Sequence, residues 1–283
     1  MTQLRTLGTS TLSLCLYASV SLVPACYSSD PMDDQTLRHL DALGFEPSTV
    51  AQNGNAIIVD DDIVLDRDAL IAGDYEPPPG PSPALVQKGY VYKTGAVSAA
   101  NARNIKLAWA SGSREPNAAI KAAFTSAAAA WSAIPDSNLD IRTTNIGPAI
   151  TVHMINSDQW PPMEALDCAA SSTCARFPKK GKPGTHIFIE NHPLNLGCRS
   201  WKAALLNGVA RHELGHAIGL AHPNESDSDH VRTTKECTGS ESACFHNPGP
   251  AYTTIMSKVL VGNCSAISPR LTQDDYATAA RLY

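Results

Sequence analysis

The sequence predicts an α+β fold, in which strands and long helices occupy separate stretches of the chain. Short apolar runs and one alternating run predict several strands between residues 56 and 190. Two long segments with helical periodicity, and a third at the end of the chain, predict the helices. With 283 residues, of which 43% are hydrophobic and 17% charged, the chain is long enough to bury one or two cores.

Charge is unevenly distributed along the chain. Residues 26–87, which we call the front segment, carry twelve acidic and two basic residues, whereas residues 88–283, the body, carry fifteen and nineteen. The formal net charge of the whole chain is only −5. This pattern lacks the basic surface of a nucleic-acid-binding protein, so we predict no nucleic-acid partner. No apolar run beyond the N-terminal region is long enough to predict a membrane span.

Residues 1–25 are typical of a signal peptide. Arg5 precedes an apolar stretch diluted by Ser and Thr, and the small residue Ala25 stands at the cleavage position. Residues 22–26, Leu-Val-Pro-Ala-Cys, also resemble a bacterial lipobox, in which the cysteine is acylated. We therefore predict export, with Cys26 as a lipid anchor in the bacterial cell envelope. Ordinary secretion with an unmodified Cys26 is the alternative.

The cysteine content agrees with export to an oxidising compartment. Six cysteines lie beyond Cys26: Cys168, Cys174, Cys198, Cys237, Cys244 and Cys264. Close spacing favours the disulfides Cys168–Cys174 and Cys237–Cys244, which leaves Cys198 for Cys264, although other pairings stay open. A structural zinc site built from thiolates is disfavoured because the chain has no C-x-x-C pair.

The sequence of the front segment predicts little regular structure. Residues 34–43 have leucines at helical spacing and end before Gly44, which predicts a short helix. Residues 56–59 and 63–65 predict one or two short strands, too few elements for a core of their own. The Pro-rich run of residues 76–83 predicts an extended linker, so we place the domain boundary after residue 87.

The sequence of the body predicts a single domain in which one helix lies among the strands and two further helices follow them. Its predicted strands are residues 90–93, 105–110, 139–143, 149–155 and 185–190, and its predicted helices are residues 116–131, 200–218 and 272–283. Residues 156–184 are rich in Pro, Gly and Cys and are predicted to form a loop. Thr272 and Asp275 have the spacing of a capping box at the start of the last helix.

The second of these helices carries the residues with the clearest chemistry. His212 and His216 are four residues apart and therefore lie on one face of a helix, with Glu213 beside them. Gly219 can adopt a positive φ and end the helix, which lets the chain return so that His222 supplies a third nitrogen. Three neutral histidines and one open position are typical of catalytic zinc.

The pattern His-Glu-x-x-His-x-x-Gly-x-x-His resembles the signature of the metzincin zinc peptidases, and its version here is similar to that of the matrixins. Residues 254–257, Thr-Ile-Met-Ser, resemble the methionine turn of that clan, with Met256 beneath the imidazoles. Other segments of residues 88–283 resemble the bacterial HEIGH-motif metallopeptidases, although Leu214 stands where those enzymes usually have Ile.

The resemblance implies a catalytic domain with a mixed twisted sheet, an active-site helix and a C-terminal helix. It implies one catalytic Zn²⁺ and an endopeptidase that attacks peptide bonds with a zinc-bound water, for which Glu213 is the general base. The substrate is then a protein or peptide, and residues 185–190 are expected to form the edge strand along which it binds in an extended form. The alternative is a surface-anchored zinc-binding module without peptidase activity, which the presence of Glu213 disfavours.

Two further sites are predicted outside the motif. Residues 59–62, Val-Asp-Asp-Asp, resemble the astacin-type motif in which an aspartate blocks the zinc, which makes the front segment an inhibitory pro-segment and Asp62 its latch. A solvated acidic turn is the alternative. Glu225, Asp227 and Asp229 offer oxygen ligands for Ca²⁺ or form a solvated loop.

Overall fold

The structure is a computed structural model that describes part of the chain. The described residues are 32–43, 45, 50–59, 62–75, 97–162, 168, 171–194, 198–220, 222, 255–256, 270–271, 275–276, 279–280 and 283. The predicted signal peptide, Cys26, the Pro-rich run, the predicted strand at 90–93 and the predicted calcium ligands lie outside them. So do Cys237, Cys244 and Cys264.

The described residues form an α+β structure around one mixed sheet, which confirms the predicted fold class. Its strands are β1 Val50–Asn53, β2 Ala56–Val59, β3 Ile63–Asp66, β4 Ile105–Trp109, β5 Ile141–Thr143, β6 Ile150–Ile155, β7 Thr173–Arg176 and β8 His186–Glu190. Its helices are α1 Asp34–Ala42, α2 Arg67–Ile71, α3 Ala99–Ala102, α4 Ala118–Ser132 and α5 Ala203–Ile218. Asp275, Tyr276, Ala279 and Ala280 are also helical, within the segment predicted as the C-terminal helix.

The strands follow the order β1-β2-β3-β7-β8-β6-β4-β5. The antiparallel pairs are β1–β2, β2–β3 and β7–β8, and the parallel pairs are β3–β7, β8–β6, β6–β4 and β4–β5. Two expectations are therefore wrong. The predicted loop of residues 156–184 contains strand β7, and the expected edge strand β8 lies inside the sheet between β7 and β6.

Helices α4 and α5 pack together on one face of the sheet. Asn117 begins α4 by accepting a hydrogen bond from the Ile120 amide at 3.0 Å. The main core includes Phe124 and Trp131 from α4, Leu214 from α5, and Val152 from β6, all of them buried. Because the Trp131 indole also donates to the Arg211 carbonyl at 3.0 Å, the two helices are held in a fixed register beneath the sheet.

The front segment has a small core of its own, contrary to expectation. Ten buried apolar residues from α1, α2 and β2–β3 and their connections cluster there, and the body adds Phe177. The rings of Phe45 and Phe177 meet edge to face at 6.3 Å between centroids. Strands β2 and β3 form an antiparallel pair, and helices α1 and α2 pack on it. These few elements therefore bury enough apolar surface to form a cluster.

The front segment also extends the sheet of the body. Strand β3 pairs in parallel with β7, in the register Ile63 to Ala175 and Val64 to Arg176. The Ala175 amide donates to the Asp62 carbonyl at 2.9 Å and the Phe177 amide to the Val64 carbonyl at 3.0 Å. Among the described helices, none combines the length and the apolar character that crossing a bilayer requires.

Candidate metal centre

Helix α5 brings two histidines together one turn apart, and backbone carbonyls fix both rings. Nδ1 of His212 lies 2.6 Å from the Ile255 carbonyl oxygen, and Nδ1 of His216 lies 2.6 Å from that of Leu220. Because a carbonyl only accepts, Nδ1 of each ring is the donor, which leaves a lone pair on Nε2 of the neutral ring. Burial and the nearby charge of His216 lower the pKa of His212, which favours that neutral form.

Gly219 ends α5 and turns the chain back towards the histidines. Its φ of 113° lies in the left-handed region, and its amide donates to the Gly215 and His216 carbonyls. The return places His222 beside the helix. The three Nε2 atoms lie 2.9 Å apart for His212 and His216, 3.0 Å for His212 and His222, and 3.2 Å for His216 and His222.

This geometry fits a zinc ion. Bonds of about 2.0–2.1 Å in a tetrahedral arrangement separate neighbouring nitrogens by roughly 3.3 Å, close to the observed spacing. The three rings are buried, and the tautomers of His212 and His216 turn their lone pairs towards a common point. The donor set, three imidazoles and a carboxylate, is one that zinc takes readily.

The carboxylate in this cluster belongs to Asp62, in the turn between β2 and β3. Its Oδ2 lies 3.2 Å from Nε2 of His212 and 3.3 Å from that of His222, and its Oδ1 lies 3.5 Å from Nε2 of His216. Burial acts to raise the pKa of Asp62, but the adjacent imidazoles of His222 and His216, together with that of His212, hold it well below its ordinary value. Asp62 is therefore an anion at the position opposite the three histidines.

Glu213 lies buried beside the histidines and makes one hydrogen bond. Its Oε1 accepts from the Thr173 hydroxyl at 2.5 Å, and its Oε2 has no hydrogen-bond partner within the described structure. Burial, followed by the negative charge of Asp62, raises the pKa of Glu213 well above its ordinary value, and the hydrogen bond from Thr173 opposes that rise. The sequence did not indicate Thr173, since it lies in the segment predicted as a loop.

Met256 lies directly beneath the helix that carries the histidines. It is fully buried, and a Cβ placed on Gly215 would come 2.4 Å from its sulfur. Gly215 therefore leaves the space that the Met256 side chain occupies. The preceding residue, Ile255, accepts from His212 and donates its own amide to Oδ2 of Asp275 at 3.3 Å, so the turn is tied to both the ligand and the C-terminal helix.

Comparison with known families agrees with this arrangement. The family model of the matrixins matches residues 101–240, a range that contains β4–β8, α5 and all three histidines of the cluster. The chain is a metzincin-clan zinc metalloendopeptidase. No curated protein sequence matches it.

Two solved structures of myroilysin are similar to this metzincin. One, described as the crystal structure of myroilysin, is 15% identical with a TM-score of 0.36 and covers 67% of this chain and 83% of that chain. The other, described as the structure of myroilysin, is 15% identical with a TM-score of 0.37 and covers 67% of this chain and 80% of that chain.

One predicted disulfide of this metzincin is confirmed. Cys168 and Cys174 are bonded, with their Cα atoms 6.2 Å apart, and the bond closes the loop that leads into β7. Cys198 is disulfide-bonded as well. The other predicted pairings involve residues outside the described part of the chain.

Proposed function

We propose that this peptidase cleaves peptide bonds with His212, His216 and His222 as its zinc ligands and Glu213 as its general base. The observation that supports the proposal is the convergence of three Nε2 atoms, 2.9–3.2 Å apart, beside a buried carboxylate that has one oxygen uncommitted. Met256 and Gly219 support the site, the first by packing beneath the ligand helix and the second by returning the chain to His222.

When bound, zinc supplies a Lewis acid that polarises the scissile carbonyl and acidifies the attacking water. Glu213 accepts the proton of that water at Oε2 and passes it to the nitrogen of the leaving amine. Because burial makes the Glu213 carboxylate a stronger base than an exposed glutamate, the proton transfer is favoured. The Nδ1 hydrogen bonds of His212 and His216 orient these two rings so that their Nε2 atoms would hold the ion.

The front segment supports a latent form of the enzyme. Asp62 lies where a fourth zinc ligand would bind, and β3 covers the side of β7 that would otherwise be an open strand edge. We infer that an extended substrate takes the place of β3 on β7 after the front segment leaves. The substrate strand is thus assigned to β7 rather than to β8.

The cysteines and the N-terminal sequence support export of the protein to an oxidising compartment. The disulfides at Cys168–Cys174 and Cys198 are typical of exported proteins, and the N-terminal sequence is typical of a signal peptide. Acylation of Cys26 as a membrane anchor and a calcium site at Glu225, Asp227 and Asp229 stay predictions from the sequence.

The test of the proposed function is a comparison of wild type with Glu213→Gln. A recognition site for a sequence-specific protease is inserted in the Pro-rich run and the chain is cut there. The front segment, which stays docked through β3 and Phe177, is then separated by ion exchange in urea, and the body is refolded with zinc. We expect the variant to cleave casein at least about 100-fold more slowly, because the general base is lost. Both proteins should bind about one zinc per chain, since the ligands are unchanged.

The control is Glu115→Gln, which makes the same chemical change on an exposed residue that pairs with Lys121. It should cleave casein as fast as wild type. A wild-type protein that binds zinc but cleaves no peptide would contradict the proposal and would favour a zinc-binding module. Equal activity in wild type and Glu213→Gln would remove Glu213 from the role of base.

A further inference from the structure

A buried hydrogen bond links the general base to a strand of the sheet. The Thr173 hydroxyl lies 2.5 Å from Oε1 of Glu213, and the two residues expose only 7% and 1% of their surface. An ionised carboxylate accepts at both oxygens, and a protonated carboxyl still accepts at its carbonyl oxygen, so the hydroxyl donates to Oε1 in either state. A hydrogen bond to a charged group inside a protein is among the stronger kinds, and its direction is well defined.

The position of Thr173 is itself fixed from several sides. It is the first residue of β7 and pairs with Ile189 of β8. Its amide donates to the Ser171 hydroxyl at 3.1 Å, and the next residue, Cys174, is held by the disulfide to Cys168. Because its backbone is held in this way, the hydroxyl reaches Glu213 from a fixed direction.

From this arrangement we propose that Thr173 is a positioning residue for catalysis, which holds Glu213 through Oε1 and leaves Oε2 as the oxygen that exchanges the proton. The inference rests on the proposed role of Glu213 as the base. The same hydroxyl can donate to Oε1 before and after Oε2 takes up the proton, because Oε1 stays an acceptor in both states, so the carboxyl need not turn during the reaction. A base that is already held in the reactive orientation loses little rotational freedom in the transition state, which lowers the entropic part of the barrier.

The bond belongs to the mature enzyme as much as to the latent chain. Strand β7 and helix α5 both lie in the body and pack against each other without the front segment between them. Removal of residues 26–87 therefore leaves both partners in place. A purely structural role, in which Thr173 only satisfies a buried carboxylate, predicts lower stability without a specific change in the rate constant.

The test uses Thr173→Val, which has nearly the same shape but no hydroxyl, and Thr173→Ser, which keeps the hydroxyl. Both are measured in the zinc-loaded chain that has been cut in the Pro-rich run and freed of the front segment. We expect the Val variant to lose about ten-fold or more in kcat, on the scale of a lost hydrogen bond to a charged group, with KM within about two-fold. The Ser variant should keep most of the wild-type kcat.

A double-mutant cycle separates positioning from structure. In a Glu213→Gln background, Thr173→Val should change the residual rate by less than about two-fold, because the base through which it acts is already gone. Thr143→Val, a matched change at an exposed site on β5, should leave kcat at the wild-type value. If the Val variant does not fold, as judged by circular dichroism and zinc content, Thr173→Ala replaces it in the same comparison with Ser.

The outcomes distinguish this inference from the proposed function. Casein cleavage by wild type, with an unchanged kcat in Thr173→Val, would overturn only the role of Thr173. A Ser variant as slow as the Val variant would overturn it too, since the hydroxyl would then not be the cause. A wild-type enzyme that binds zinc and cleaves nothing would overturn the proposed function and this inference with it.

Discussion

Gly215 decides how closely Met256 can approach the ligand helix. A Cβ at this position would meet the Met256 sulfur at 2.4 Å, the terminal methyl at 3.0 Å and the Trp131 ring at 3.3 Å. In a helix, alanine is otherwise favoured over glycine by about 1 kcal/mol. We expect the clash to outweigh the propensity because Met256 and Trp131 are both fully buried, so that relieving it requires the surrounding core to repack.

We accordingly expect Gly215→Ala to lower the free energy of unfolding by about 1–3 kcal/mol, as overpacking in a core does. Urea unfolding of the zinc-loaded chain measures it. The double variant Gly215→Ala with Met256→Ala should be less destabilised than the sum of the two single variants, since the smaller side chain removes the clash. Strict additivity of the two changes would show that Met256 does not set the need for glycine.

Some residues of the site could be predicted from the sequence and others could not. The structure brings His212, His216, His222 and Glu213 together because their contacts are local, set by helical spacing and by the turn at Gly219. Thr173 could not be predicted because it lies 40 residues before Glu213, and only the packing of β7 on α5 joins them. The place of Asp62 at the site, 150 residues before His212, was predicted from a family resemblance rather than from residue spacing.

At the scale of elements, Phe177 anchors the front segment to the body. Its side chain is the only one that the body contributes to the front core among the described residues, where it meets Phe45. Its amide separately continues the pairing of β7 with β3. A substitution of the side chain therefore tests the hydrophobic anchor while leaving the backbone pairing available.

We expect Phe177→Ala to weaken the docking of the front segment by about 3 kcal/mol, the usual result of emptying a buried phenylalanine site. Limited proteolysis of the uncut chain measures it, with faster cleavage within residues 32–75. Phe177→Leu fills most of the space and should cost about 1.5 kcal/mol or less. Equal proteolysis of the front segment in wild type and Phe177→Ala would show that the anchor lies elsewhere.

The elements also show why strand order was harder to predict than the strands themselves. Alternation in residues 185–190 indicated strand β8 correctly, because alternation is a local property. Its place between β7 and β6 depends on pairing with distant segments, which no local pattern records. Strand β7 was missed because its four residues follow a Cys- and Ser-rich stretch that is typical of loops.

At the scale of the whole molecule, the front segment and the body share one sheet, and apolar contacts and strand pairing hold them together. Two ion pairs join the basic body to the acidic front segment, Lys179–Asp66 at 3.5 Å and Lys180–Asp74 at 3.0 Å. Both lysine side chains are well exposed, so each pair contributes little. Salt should therefore weaken the docking of the front segment on the body less than loss of the apolar contacts does.

The proposed latency would depend on two contacts, the Asp62 carboxylate at the histidines and β3 on β7. In the uncut chain, Asp62→Ala should raise casein cleavage above the wild-type background, because the anion that faces the three histidines is gone. The rise should stay below the rate of the cut wild type, since β3 still covers β7. Asp68→Ala removes the same charge from an exposed side chain of the front segment and should leave the background unchanged. An uncut Asp62→Ala chain as inactive as wild type, with zinc bound, would show that strand β3 alone keeps the enzyme latent.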